Sequence, residues 1–156
     1  IKVLNGNLYR NIEWPVVVML AAMIPVGQAL ETSGISLNIA NFISTTTHGM
    51  DLPWLILMIL VITMFVSDIV NNAATAVIMA PIAANLAVQL NLPVEPFLMA
   101  VAVGASCAFL SPIGHQCNTL VMAPGNYKFG DYWRLGLPLE CVIVAISIPM
   151  ILFVWT

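Results

Sequence analysis

No charged residue stands between Asp68 and Glu95, nor between Glu95 and Lys128. Each stretch exceeds the roughly 20 residues that an α-helix needs to cross the hydrocarbon layer of a bilayer. Lipid leaves such a chain few choices. Every backbone N–H and C=O must find a partner inside the protein, so only helices or a closed barrel can span. The apolar runs are continuous rather than alternating, which selects helices. Charged residues make up only 7% of the chain, too few for a soluble domain's surface, and mean hydropathy is +1.01. The fold class expected is an all-α polytopic membrane protein.

The net charge is −3 and the four basic residues are scattered, so there is no footprint for nucleic acid. Cys107, Cys117 and Cys141 lie in apolar segments, are odd in number and form no CxxC pair, which argues for packed thiols over a disulfide framework or a zinc site. The start at Ile1 shows neither an initiator Met nor a signal-peptide pattern, and the chain reads as a piece of a longer protein.

Five elements are expected along the chain. Residues 14–31 form a spanning helix with Trp14 at the interface and its far end loosened by Pro25 and Gly27. Residues 35–46 suit a helix lying on the membrane surface, with Ile35, Leu37, Ile39, Phe42 and Ile43 as its apolar side, and His48 follows in a solvated connection. Residues 52–90 are expected as a re-entrant hairpin whose tip is 67–75, "SDIVNNAAT", although two full spans would thread the same way, since both arrangements begin and end on one side. Residues 95–124 form a helix broken over 111–118, "SPIGHQCN", where Pro112 and Gly114 interrupt it. Residues 135–155 span again and end on the interfacial Trp155. Threading these elements puts Lys2, Arg10, Lys128 and Arg134 on one side, which the positive-inside rule makes the cytoplasm, leaving the C-terminus outside.

The two polar interruptions carry the functional reading. Non-helical backbone at membrane depth survives only within protein or against a water-filled cavity. At each break an ending half-helix exposes carbonyls and a starting one exposes amides, which suits a cation and an anion side by side. Carbonyls around Val66 to Val70 with the oxygens of Ser67 and Asn72 offer a hard oxygen site for an alkali cation. The amides of Ala73 to Thr75 and of Thr119 and Leu120 face an anion, with Asn71, Asn72, His115 and Asn118 as candidate side chains. Ser111 is read only as a cap of the break. No Lys or Arg stands at either break, which favours an anion that is bound and released. Asp68, beside two apolar runs, is a candidate for an ion or proton role.

"VSDIVNNAATAVIMAPIA" and "SPIGHQCNTLVMAPGNYKFGDYWRLGLPL", in this order, resemble the hairpin tip and the second break of the divalent anion/sodium symporters. The second motif is closest to the branch of sulfate and sulfur-response permeases. The resemblance implies two inverted repeats, each with a hairpin and a broken helix, in a homodimer whose transport domain moves like an elevator. This chain resembles the C-terminal repeat. It implies substrate contacts at Asn71, Asn72, Ala73, Thr75, His115 and Asn118, and a sodium site at Ser67, Asp68, Val70, Asn72 and Gly114. Ala73 stands where the family has Thr, and His115, Gln116 and Cys117 replace its Thr-Pro-Pro.

The function expected is secondary active transport by alternating access in the plasma (inner) membrane. Sodium, preferred to protons, drives symport of a small divalent anion, sulfate ahead of a dicarboxylate. No cofactor is implied beyond the coupling ion; the partners are the anion, the bilayer, the N-terminal repeat and a second copy. An arsenite or sodium/proton exchanger, with Asp68 as the proton-coupled group, is the alternative within transport. A membrane-embedded hydrolase using Asp68 and His115 is the alternative from another class, disfavoured because no second buried acid is expected beside Asp68.

Overall fold

A computed structural model describes residues 14–47 and 49–155, so Lys2, Arg10 and His48 lie outside the described residues. Among the described residues seven α-helices follow in order: α1 Trp14–Thr32, α2 Ile35–Thr46, α3 Leu52–Ile69, α4 Asn72–Gln89, α5 Glu95–Ala105, α6 Gln116–Met122 and α7 Tyr132–Trp155, the last entered through a 3-10 turn at Phe129–Asp131. Among the described residues there is no strand. The segments Leu52–Ile69, Asn72–Gln89 and Phe129–Trp155 are long and apolar enough to cross a membrane. The protein is an all-α membrane protein.

The core lies where α3, α4 and α5 meet. Leu55, Ile56, Ile59 and Leu60 of α3, Met79, Ile82, Ala83 and Leu86 of α4, and Phe97, Ala100 and Val101 of α5 are buried together. Helices surrounded by lipid gain little from burying apolar surface, and small residues that admit close backbone approach matter more. Gly104 is one of these: a Cβ there would stand 2.8 Å from Thr63 Cβ and 2.9 Å from the Leu60 carbonyl oxygen. α5 therefore lies directly on the backbone of α3.

On the other side of α4 lie α1 and α2. Pro81 cannot donate to the Val77 carbonyl, and α1 brings Gly27 against that same residue, where a Cβ would meet Val77 Cγ1 at 2.8 Å. Pro25 does not end α1, which runs on to Thr32. The chain then reverses at Gly34, whose φ of +71° is left-handed backbone that suits glycine. α2 buries the small face Ser36, Ala40 and Ser44, and Asn85 of α4 donates to Ser36 Oγ at 3.2 Å. Ile35, Leu37, Ile39 and Phe42 point away from the protein.

The unwound part of the broken helix differs from the expected 111–118. α5 ends at Ala105, non-helical backbone runs from 106 to 115, and Gln116 to Asn118 already belong to α6. The cause lies in α3, as the hydrogen bonds below show.

Candidate functional site

α3 ends with Val70 donating to the Val66 carbonyl at 2.8 Å, and Val70 and Asn71 are both extended. Asn is a favoured helix N-cap, and the Asn71 side chain accepts the Ala74 N–H at 2.8 Å while its carbonyl accepts the Thr75 N–H at 3.0 Å. The amides of Ala74 and Thr75 are thereby spent inside the helix. Asn72 and Ala73 keep the amides in this turn that have no acceptor among the described residues.

The second break is held open by the end of α3. In an unbroken helix the Ala105 carbonyl would accept from Phe109 N–H, and Leu110 N–H would donate to Ser106. Here the Ser67 hydroxyl lies 2.8 Å from the Ala105 oxygen, and Leu110 N–H donates to Asp68 Oδ1 at 2.9 Å. The Ser111 hydroxyl donates to the Asp68 carbonyl at 2.6 Å, while its oxygen accepts from Ile113 N–H at 3.2 Å and Gly114 N–H at 3.1 Å. Ser111, read from sequence as a cap alone, joins the two breaks. Gly114 sits at the same joint: a Cβ there would lie 2.8 Å from the Ser67 carbonyl oxygen and 3.1 Å from Asp68 Cα.

Asn118 completes the frame. Its NH2 group donates to the Ala108 carbonyl at 2.8 Å and the Ser111 carbonyl at 3.1 Å. Those two bonds occupy both of its donors, so Asn118 shapes the break rather than offering donors to an anion. Thr119 donates to the Pro112 carbonyl at 2.6 Å, and the Tyr132 hydroxyl to the Asn118 carbonyl at 2.7 Å, tying α6 to the start of α7.

A cavity of about 270 Å³ opens between the two breaks, lined by Asn72, Ser106, Ala108, Phe109, His115, Cys117 and Asn118. Three of the six candidate substrate residues, Asn72, His115 and Asn118, stand on its wall. Asn71, Ala73 and Thr75 do not: Asn71 caps α4, and Thr75 is fully buried, its Oγ1 without a partner among the described residues. His115 Nδ1 accepts the Cys117 N–H at 3.2 Å. An accepting Nδ1 leaves Nε2 as the ring nitrogen that donates. Among the described residues, no Lys or Arg lines this cavity.

Of the candidate cation ligands, Ser67 and Asn72 are in contact, Ser67 Oγ lying 3.0 Å from Asn72 Oδ1, and Gly114 packs on the Ser67 carbonyl. A hydroxyl has one proton, so Ser67 serves Ala105 and Asn72 only in alternation. With the Asn72 amide turned over, its NH2 donates to Ser67 and its oxygen is released. Asp68 is directed elsewhere: its Oδ1 accepts the Leu110 N–H at 2.9 Å. The expectation that no second buried acid accompanies Asp68 is corrected. Glu140 of α7 carries a buried carboxyl oxygen, Oε1. The signal was present in "LPLECVIVAISIPMILFVW", an apolar span with one acid, and the rule that flagged Asp68 applies equally there.

Two further cavities hold less polar surface. One of about 220 Å³ lies between Phe109, Val121, Tyr127 and the start of α7, and one of about 410 Å³ between α3 and α7. Among the described residues, no group of three or more His, Cys, Asp or Glu is placed to hold a metal ion.

Comparison with known proteins adds the following. The family described as citrate transporters matches residues 3–104 and, in a second, overlapping match, 51–156. An uncharacterized transporter of Synechocystis sp. is 38% identical over 94% of this chain and 24% of its own length. A probable sodium/sulfate cotransporter of Chlamydomonas reinhardtii is 35% identical over 92% of this chain and 16% of its own. A sodium-dependent dicarboxylate transporter of Staphylococcus saprophyticus is 23% identical over 97% of this chain and 29% of its own. The chain thus spans less than a third of each of these relatives.

Proposed function

Because the chain belongs to the citrate transporter family, we propose that it forms the C-terminal repeat of a secondary active transporter that couples sodium to symport of a small divalent anion, sulfate ahead of a dicarboxylate. One observation carries the reading. The end of a hairpin and the unwound part of a broken helix meet at a cavity of about 270 Å³ whose wall has neutral polar groups and no cation. Discontinuous helices meeting this way are how secondary transporters build midplane sites.

α3 and α4 are read as a re-entrant hairpin because their tip meets the break of α5 at Ser67. The anion is held by the His115 side chain and the backbone amide of Asn72, which line the cavity and bind without a full positive charge and so release. Sodium takes the oxygens of Ser67, Val70 and Asn72, with Gly114 allowing the close approach. The names of the relatives, sodium/sulfate and sodium-dependent dicarboxylate, support the ion class. The N-terminal repeat supplies the other half of the site, a second copy makes a homodimer in the plasma (inner) membrane, and the C-terminus lies outside.

The test is uptake by the full-length protein in proteoliposomes. Radiolabelled sulfate, and succinate beside it, is expected to accumulate under an inward sodium gradient and not under a potassium gradient, and Asn72→Ala is expected to abolish the signal. Uptake indifferent to sodium and unchanged in Asn72→Ala would overturn the proposal.

A further inference from the structure

The anion cavity has a thin back wall. Phe109 and Asn118 line both the cavity of about 270 Å³ and the one of about 220 Å³ that opens toward α7, so these two residues stand between the voids. A void supplies no contacting atoms, and the wall must therefore be held by whatever reaches across it. Two residues of α7 do so, Tyr132 and Gly136, one turn apart on a single face of the helix.

Gly136 bears on one end of the wall. A Cβ there would collide with the Phe109 carbonyl oxygen and stand 2.7 Å from its carbonyl carbon, so α7 rests directly on the backbone of the break. Tyr132 holds the other end: its hydroxyl donates to the Asn118 carbonyl at 2.7 Å. The Tyr127 ring packs edge-on against the Tyr132 ring with centroids 6.3 Å apart, which fixes the direction of that hydroxyl. From Asn118 the support passes on to the cavity. Its N–H donates to the His115 carbonyl at 3.0 Å, and its NH2 group to the carbonyls of Ala108 and Ser111. One residue thus ties α7 both to the N-cap of α6 and to the unwound backbone.

We infer that Tyr132 is a positioning residue of the anion site: its hydroxyl, acting through the Asn118 carbonyl, keeps His115 and the unwound wall at the spacing the cargo needs. The inference rests on the reading of this cavity as the anion site. The cation side lies outside the chain of contacts, because Ser67 bonds to Asn72 and to Ala105 and neither bond runs through Asn118 or Tyr132.

Tyr132→Phe removes the hydroxyl and keeps the ring. In proteoliposomes carrying the full-length transporter, it is expected to raise the KM for sulfate or succinate roughly three- to tenfold, the range spanned by losing one hydrogen bond. The maximal rate, and the sodium concentration for half-maximal uptake at saturating anion, are expected to hold. A second readout needs no transport. Cys117 is exposed and lines the anion cavity, so with Cys107 and Cys141 replaced by Ala a bound anion is expected to slow its reaction with a negatively charged methanethiosulfonate. In Tyr132→Phe the anion concentration that half-protects Cys117 is expected to rise by the same factor. Unchanged KM and unchanged protection would overturn the inference and leave the anion site standing. A rise in KM joined by a higher sodium requirement and a lower melting temperature would overturn it too, since general loosening gives that pattern. Wild-type Cys117 that reacts alike with and without sulfate or succinate would remove the reading of the cavity, and the inference with it. Should Tyr132→Phe not fold, Tyr127→Leu, which takes away only the ring packed on Tyr132, is expected to raise the half-protecting concentration, and an unmoved value counts against the inference.

Discussion

A single hydrogen atom in place of a side chain sets how closely the two interruptions approach. At Gly114 a methyl group would stand 2.8 Å from both the Ser67 carbonyl oxygen and Ala108 Cβ. Neither is the end of a flexible side chain, so the backbone itself would have to yield. Overpacking of this kind costs about 1–3 kcal/mol. Gly114→Ala is therefore expected to lower the melting temperature of the full-length protein in detergent and to weaken substrate uptake. Gly130→Ala, where a Cβ meets nothing within 4 Å, is expected to leave the melting temperature unchanged. Equal melting curves for the two variants would mean that the joint has slack it does not show. His115 belongs to this scale too, because the Cys117 amide alone fixes which ring nitrogen donates.

The elements depend on each other more than their hydropathy suggests. Ser111 takes the amides of Ile113 and Gly114 and gives its proton to Asp68. Ser111→Ala removes the partner of the part-buried Gly114 amide and Asp68 carbonyl, and of the exposed Ile113 amide, which water can serve; an unsatisfied buried polar group costs about 1–3 kcal/mol. The expected outcome is faster hydrogen exchange across residues 110–115 with α4 unaffected; unaltered exchange in that segment would show that other partners hold it. Both polar interruptions stand out in the sequence because lipid tolerates bare backbone so poorly. Their partners do not stand out. Nothing in "GASCAF" signals a helix end at Ala105, since the groups that replace its hydrogen bonds come from Ser67 and Asp68, some forty residues earlier. In α2 the large apolar residues drew attention, whereas the face that meets α4 is the small set Ser36, Ala40 and Ser44. Between helices in lipid, closeness outweighs hydrophobicity.

For the whole molecule, what can be tested is which way it faces. Lys128 and Arg134 flank the turn into α7, and both fall on the cytoplasmic side if the positive-inside rule governs. In a background where Cys107, Cys117 and Cys141 are replaced, Pro93→Cys is expected to react with a membrane-impermeant maleimide in right-side-out vesicles. Gly130→Cys is expected to react only after permeabilisation, and the reverse pattern would invert the topology. The long, apolar α7 was legible in the sequence as a span, and the structure leaves most of it uncovered by the rest of the chain, with Leu135 and Phe153 exposed.

Three hydrogen bonds join the end of α3 to the second break: Ser67 to Ala105, Leu110 to Asp68 and Ser111 to Asp68. Each half of the joint supplies groups the other lacks, so separating them in a water-poor interior would strand all of these groups at once. The cavity between them is accordingly cheap to carry and expensive to dismantle. In any rearrangement of the surrounding helices, the two breaks would therefore shift together as one piece, and the sliding would fall on surfaces other than this one.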